Sequence, residues 1–124
     1  MTNQCIRIFA DANQIEACKK SLQTSSDSIE HMSKVFNLAG NKIRMNILYL
    51  LWVEKRLCVC DLSDIIGISI PGVSQHLRKM KDGGIVQSER EGQTIYYSLV
   101  EQFKFAFETF FVRAENNVVL EEQP

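Results

Sequence analysis

The chain lacks the features of a membrane protein, a secreted protein or an enzyme. No apolar run in its 124 residues approaches the roughly 18 residues that a membrane-spanning helix needs. Its first residues contain no signal-peptide core, so we expect a cytoplasmic protein. The sequence has two histidines, His31 and His76, without a phosphate-binding loop or a paired nucleophile and base. It therefore predicts that the protein is not an enzyme.

A general excess of basic residues is also missing. The formal net charge is -1, so a nucleic-acid partner has to be argued from a local patch. Apolar residues make up 45% of the chain, which argues against disorder over most of its length. A chain of this length indicates one domain with a modest core.

Cysteine occurs four times, and two of the four are one residue apart. Cys58 and Cys60 stand just before a helix-turn-helix pattern, whereas Cys5 and Cys18 lie nearer the N-terminus. In a cytoplasmic protein such cysteines are more often reduced thiols, metal ligands or redox sensors than structural disulfides. The pair at 58 and 60 is therefore the best indication of what the chain senses.

The spacing of apolar residues predicts three helices in the first half of the chain, over 11–22, 28–39 and 42–53. The polar stretch 23–28 is predicted to break the helix that precedes it. The expected organisation is an N-terminal arm with a short helix over 1–27, a winged-helix domain over 28–116 and an acidic tail over 117–124.

In the second half the pattern has the order of a winged helix-turn-helix. We expect a short helix over 60–66, a turn at 67–69, a helix over 70–82, strands over 85–90 and 94–99, and a last helix over about 101–116. Ser69 is placed to cap the second of these helices, with Pro71 in its first turn and a left-handed stop at Gly83-Gly84. The predicted fold is mainly α (α+β), with about five to six helices and a two-stranded β-hairpin wing.

The outer face of helix 70–82 carries the small polar and basic side chains that read DNA. Gln75 can pair with adenine, and Arg78 with guanine or a phosphate. Arg90 and Gln93 lie near the hairpin tip, where arginine is suited to phosphate or the minor groove. For His76 a surface or packing role is equally open. The predicted DNA contacts are Ser69, Gly72, Ser74, Gln75, His76, Arg78, Lys79, Arg90 and Gln93.

Phenylalanine is concentrated in the last helix, at steps of three and four residues. This stripe predicts a homodimer formed through the first and last helices, because palindromic DNA favours two-fold proteins. Burial of the stripe against its own domain is the alternative. The predicted interface residues are Phe103, Phe107, Phe110 and Phe111.

Several segments together resemble the ArsR/SmtB family, over about residues 28–115. They are Leu57-Cys58-Val59-Cys60-Asp61-Leu62, Gly67-Ile68-Ser69, Val73-Ser74-Gln75-His76-Leu77-Arg78 and Glu91-Gly92-Gln93-Thr94-Ile95-Tyr96-Tyr97-Ser98-Leu99. The resemblance implies a dimeric repressor that releases double-stranded operator DNA when a metal or metalloid binds. Of the family's two common metal sites, the one between the last helices looks absent, since only Glu101 of its expected positions could serve.

The other family site joins the cysteine box to N-terminal cysteines, which implies metal ligands at Cys58, Cys60, Cys18 and Cys5. This pattern resembles the cadmium- and lead-sensing branch, although the 13 residues between Cys5 and Cys18 exceed that branch's close spacing. The arsenic-sensing branch often adds a third cysteine where Ser63 stands.

The physical chemistry of the box gives its two cysteines unequal weight. On an ideal helix, residues two apart point about 200° from each other, so Cys58, outside the helix, is the surer ligand. We expect the helix N-terminus to lower its thiol pKa. Three or four thiolates favour Cd(II), Pb(II), Hg(II), As(III) or Zn(II) as effector, and no organic cofactor is expected.

Two other functions stay open on the sequence alone. One is a thiol-redox sensor of the same fold, in which Cys18 and Cys58 or Cys60 form a reversible disulfide. The other is a winged helix that binds proteins and has no role on DNA.

Overall fold

The computed structural model describes residues 6–116. These residues form five helices and one three-stranded antiparallel sheet. The helices are α1 (Ala12–Ala39), α2 (Lys42–Glu54), α3 (Val59–Ile66), α4 (Ile70–Asp82) and α5 (Glu101–Glu115), and the strands are β1 (Arg56–Cys58), β2 (Val86–Glu91) and β3 (Thr94–Leu99). The chain divides into two compact units, one ending at Ser33 and the other beginning at Lys34.

Helix α1 is one continuous element of 28 residues, so the predicted break at 23–28 is wrong. The hydroxyl of Thr24 donates a hydrogen bond of 2.9 Å to the carbonyl of Lys20, one turn earlier, and so satisfies its own polar group inside the helix. Serine, threonine and aspartate each cost at most about 0.7 kcal/mol in a helix relative to alanine. Asp11 caps the start, since its Oδ1 atom accepts the N–H of Gln14 at 3.0 Å.

The helix-turn-helix is formed by α3 and α4, as predicted. The Ser69 hydroxyl accepts the N–H of Gly72 at 3.2 Å, which confirms the predicted cap, and Pro71 lies in the first turn. The left-handed stop is Gly84, with φ of 76°, whereas Gly83 has an ordinary negative φ. Gly83 serves packing instead, because a Cβ there would lie 2.2 Å from Cδ2 of Leu38.

The predicted wing strands are confirmed, and a third strand, β1, joins them. The strand order is β1-β3-β2, so β3 is central. Cys58 pairs with Tyr96, which in turn pairs with Glu89. Side chains alternate along a strand, so these three residues share one face of the sheet while Leu57 and Tyr97 lie on the other.

The core lies in the second unit, between α2, α4, α5 and the apolar face of the sheet. Each of these elements contributes an apolar stripe, which is the pattern that a single buried core requires. The buried residues are Ala39, Ile47, Leu48, Leu51, Leu62, Val73, Leu77, Met80, Ile85, Val86, Leu99, Phe103, Phe107 and Phe111. Within residues 6–116 no helix is long and apolar enough to cross a membrane.

Candidate DNA interface and cysteine segment

Helix α4 is anchored by one face and leaves its polar face open. Val73, Leu77 and Met80 are fully buried, which fixes the helix against the core. On the other side Gln75 and Arg78 are exposed to solvent. A shallow surface depression brings together Ser69, Pro71, Gly72, Ser74, Gln75 and Arg78. Five of the predicted DNA contacts therefore form one continuous surface together with Pro71.

Two of the predicted DNA contacts have a local structural role. The Ser69 hydroxyl is occupied by the cap of α4. A Cβ at position 72 would lie 3.1 Å from that hydroxyl, so glycine leaves room for the cap. Ser69 and Gly72 therefore fix the conformation of the solvent-exposed N-terminus of α4.

His76 is held from behind by Arg44, a residue that the sequence analysis did not single out. The Nε atom of Arg44 donates to Nδ1 of His76 at 3.0 Å, and its Nη1 atom donates to the carbonyl of Leu38 at 3.2 Å. Burial of the half-buried ring, and then the charges of Arg44 and Lys79, lower the pKa of His76 below 6.5. Because Nδ1 accepts the hydrogen bond from Arg44, the neutral ring carries its proton on Nε2. Thirty-two residues separate the partners, so no local pattern announces the contact.

The wing tip also contains an ion pair that the sequence analysis missed, between Arg56 of β1 and Glu91 of β2. Arg90 and Gln93 are exposed on either side of Gly92, whose φ of 63° makes the turn. Next to Arg90, the carboxylate of Glu91 accepts a hydrogen bond of 2.9 Å from Arg56 of β1. This guanidinium lowers the pKa of Glu91, and the carboxylate in turn raises the pKa of Arg56.

Cys58 is the last residue of β1 and the N-cap of α3. Its backbone N–H donates to Oδ2 of Asp61 at 3.3 Å. Burial of the thiol, assisted by the Asp61 carboxylate, raises the pKa of Cys58, although hydrogen bonds from backbone N–H groups oppose the change. The expectation of a lowered pKa is therefore wrong, because the desolvation and the nearby negative charge outweigh the helix terminus.

Cys60 lies inside the first turn of α3, as predicted, and its side chain is exposed. Cys18 is exposed on α1, in the other unit, and Cys5 is outside the described residues. Cys18, Cys58 and Cys60 are free thiols.

The donor chemistry of these cysteines fits a soft metal ion, since a free thiol gives a thiolate ligand once it loses its proton. Among residues 6–116, however, no three His, Cys, Asp or Glu side chains converge in a group that could hold a metal ion. A complete site therefore needs a rearrangement of these residues or donors that they do not supply.

Three of the four predicted interface phenylalanines are buried in their own domain. Phe103, Phe107 and Phe111 are 6%, 6% and 3% exposed. Phe107 lies 5.2 Å from the ring of Phe36. These three side chains therefore pack against their own domain, which was the alternative to a dimer interface. Phe110 is 45% exposed and Phe105, off the predicted stripe, is 84% exposed.

The family model of bacterial regulatory proteins of the arsR family matches residues 41–88, from α2 into β2. The cadmium resistance transcriptional regulatory protein CadC homolog of Staphylococcus aureus is 33% identical over 100 residues, which cover 81% of each chain. This chain belongs to the ArsR family. Membership confirms the resemblance, and it makes the chain a DNA-binding transcriptional regulator rather than an enzyme.

Solved structures of other regulators share the ArsR-family architecture. Reduced HlyU from Vibrio cholerae is 28% identical, with a TM-score of 0.66, and the match covers 72% of this chain and 94% of that one. The AntR antimony-specific transcriptional repressor is 25% identical, with a TM-score of 0.62, over 75% of this chain and 83% of that one. The predicted winged helix-turn-helix is thereby confirmed, with the cysteine segment at the joint between its wing sheet and its first DNA-motif helix.

Proposed function

We propose that this chain is a homodimeric repressor that leaves its operator when a thiophilic metal or metalloid ion binds its cysteines. The observation that carries the proposal is the position of Cys58, which ends β1 and caps α3. One residue thus belongs both to the sheet of the wing and to the helix-turn-helix. A ligand held there acts on both DNA-facing elements, which is the property that an effector site requires.

The proposed ligands are Cys58, Cys60, Cys18 and Cys5. Three or four thiolates suit Cd(II), Pb(II), Hg(II), As(III) or Zn(II), and a bound ion would tie the cysteine segment to the N-terminal cysteines. The relatives named for cadmium and for antimony support a soft ion. Since the pKa of Cys58 is raised, the thiol is protonated at neutral pH and gives up a proton on binding.

The proposed DNA contacts divide into base and backbone readers. Gln75 and Arg78, both exposed on α4, are suited to base edges. Lys79, Arg90 and the other polar positions are suited to phosphates. The full proposed set is Ser69, Gly72, Ser74, Gln75, His76, Arg78, Lys79, Arg90 and Gln93. His76 also holds α4 to Arg44.

The proposed dimer uses the apolar surface that α5 leaves uncovered. Phe105, Phe110 and Val112 are 84%, 45% and 41% exposed. Phe103, Phe107 and Phe111 support this surface from the core side. On α1, Leu22, Ile29 and Met32 are also exposed, which favours a role for the first helix in the same interface.

The test is fluorescence anisotropy of a labelled DNA fragment from upstream of the gene, titrated with the full chain at fixed salt. Cd(II), Pb(II), Hg(II), As(III) and Zn(II) are added in turn, and a shuffled fragment is the DNA control. We expect an effective ion to weaken binding by about 5- to 150-fold, with thiolate-to-metal charge-transfer absorption for Cd(II).

The Cys58→Ser variant should keep its metal-free affinity for DNA and lose the metal-driven release. Cys60→Ser is the matched comparison, and we expect it to retain more of the response. Unchanged release in Cys58→Ser would exclude the proposed site. Release by an oxidant, with no charge-transfer band on adding Cd(II), would favour the thiol-redox alternative instead.

A further inference from the structure

Arg56 connects two strands that are not hydrogen-bonded to each other. Its Nη2 atom lies 2.9 Å from Oε2 of Glu91. Because the strand order is β1-β3-β2, the side chain crosses the central strand to reach the far one. Its guanidinium carbon lies 4.2 Å from the centroid of the Tyr96 ring, on that central strand. The ring face stabilises the cation in the crossing position.

Both ends of this bridge lie beside residues with proposed functions. Arg56 and Cys58 are two apart on β1, so their side chains share a face of the sheet, and Cys58 is opposite Tyr96 in the register. Glu91 ends β2 and is adjacent to Arg90 at the wing tip. A continuous path therefore leads along one face of the sheet from the cysteine segment to the wing tip.

We propose that Arg56 is a positioning residue that couples ligand binding at Cys58 to the DNA contacts of the wing tip. The proposal rests on the proposed function, because it takes Cys58 as an effector ligand. Strand β1 has three residues, so a displacement of Cys58 reaches Arg56 over a very short stretch of backbone. Loss of the bridge would leave the Glu91 carboxylate unpaired where the wing approaches DNA phosphates, and like charges there oppose binding.

The exposure of the pair suits a contact that breaks and re-forms. The side chains of Arg56 and Glu91 are 47% and 52% exposed, so neither charge has to be buried or rehydrated when they separate. Exposed ion pairs are weak, and a weak contact can carry part of an allosteric response but not all of it. We therefore expect removal of the bridge to reduce the metal-driven loss of DNA affinity by roughly 2- to 5-fold.

The experiment measures DNA affinity by anisotropy for the full chain with and without Cd(II), and compares the ratio of the two dissociation constants. The variants are Arg56→Gln, Glu91→Gln and the double variant. Each single change should lower the ratio, and the double variant should lower it no further than either single one. Because each variant is compared by its own ratio, a change in its metal-free affinity for DNA does not by itself alter the result.

Lys55→Gln is the matched control, since it removes the neighbouring positive charge, and Lys55 forms no ion pair with any residue from 6 to 116. It should leave the ratio unchanged. Arg56→Lys keeps the charge without the planar guanidinium and should restore part of the response.

Absorption by Cd(II) thiolates separates the two proposals. With the wild-type band and stoichiometry retained in Arg56→Gln, a reduced ratio supports coupling through Arg56. If Arg56→Gln retains the band and its ratio is unchanged, coupling through Arg56 is excluded. An equal reduction of the ratio in Lys55→Gln excludes it as well. Absence of the band in the wild type rejects the proposed function itself, and the coupling with it.

Discussion

At the scale of single residues, the contact between Arg44 and His76 holds α4 through a half-buried side chain and leaves Gln75 and Arg78 exposed. The guanidinium donates both to the imidazole of His76 and to the carbonyl of Leu38, in the last turn of α1. Neutral imidazole accepts this bond, and protonated imidazole cannot. The orientation of the reading helix is therefore linked to one protonation state of one ring.

This linkage predicts a pH dependence of stability. A histidine whose pKa is lowered on folding binds more protons in the unfolded chain, so the free energy of unfolding falls as the pH drops below about 6.5. The stability that His76 contributes is present above that pH and is lost in the window between about 6.5 and the lower pKa of the folded state. We expect His76→Gln to be less stable than the wild type at pH 8, with the difference shrinking towards pH 5.

Urea unfolding at pH 5, 6, 7 and 8 measures this difference. The matched comparison is His76→Gln in an Arg44→Gln background, where the hydrogen bond is already lost and the pH-dependent part of the difference should be smaller. A difference between His76→Gln and the wild type that stays constant across the range would contradict the assignment.

At the scale of secondary-structure elements, the functional parts of α4 can be separated by their chemistry. We expect Gln75→Ala to weaken binding to the operator fragment by about 1–3 kcal/mol while leaving shuffled DNA unaffected, because a base contact carries sequence information. Lys79→Ala should weaken binding to both fragments alike. It should also reduce the slope of log affinity against log salt concentration by about 1, because one phosphate contact is lost. Anisotropy titrations on the two fragments at several salt concentrations make the comparison. If Gln75→Ala lowered the affinity for both fragments equally, Gln75 would contact the DNA backbone and not a base.

The elements also show where sequence reasoning succeeds. The cap at Ser69, the proline in the first turn and the alternation of Thr94–Leu99 are local signals, and each predicted its element correctly. The break at 23–28 was wrong because an exposed helix tolerates several weak helix formers when Thr24 satisfies its own hydroxyl. Strand β1 was missed because three residues have too little periodicity to read. The contacts of Arg44 and Arg56 join residues far apart in the chain, so they follow from the fold and not from any local pattern.

At the scale of the whole molecule, the two kinds of phenylalanine in α5 predict opposite effects. Phe110 is 45% exposed and lies 5.7 Å from the ring of Phe107, so Phe110→Asp should lower the unfolding free energy of the monomer less than a change at Phe107 while disrupting the proposed dimer. Phe107 is buried against Phe36, so Phe107→Ala should cost about 3–5 kcal/mol of stability through the cavity it creates. Sedimentation velocity gives the oligomeric state, urea unfolding the stability and anisotropy the DNA affinity. Loss of the dimer in Phe110→Asp should lower operator affinity because two half-sites are no longer bound together. A dimer that persists in Phe110→Asp would require the interface to lie on another surface, with the exposed apolar residues of α1 as the next to be substituted.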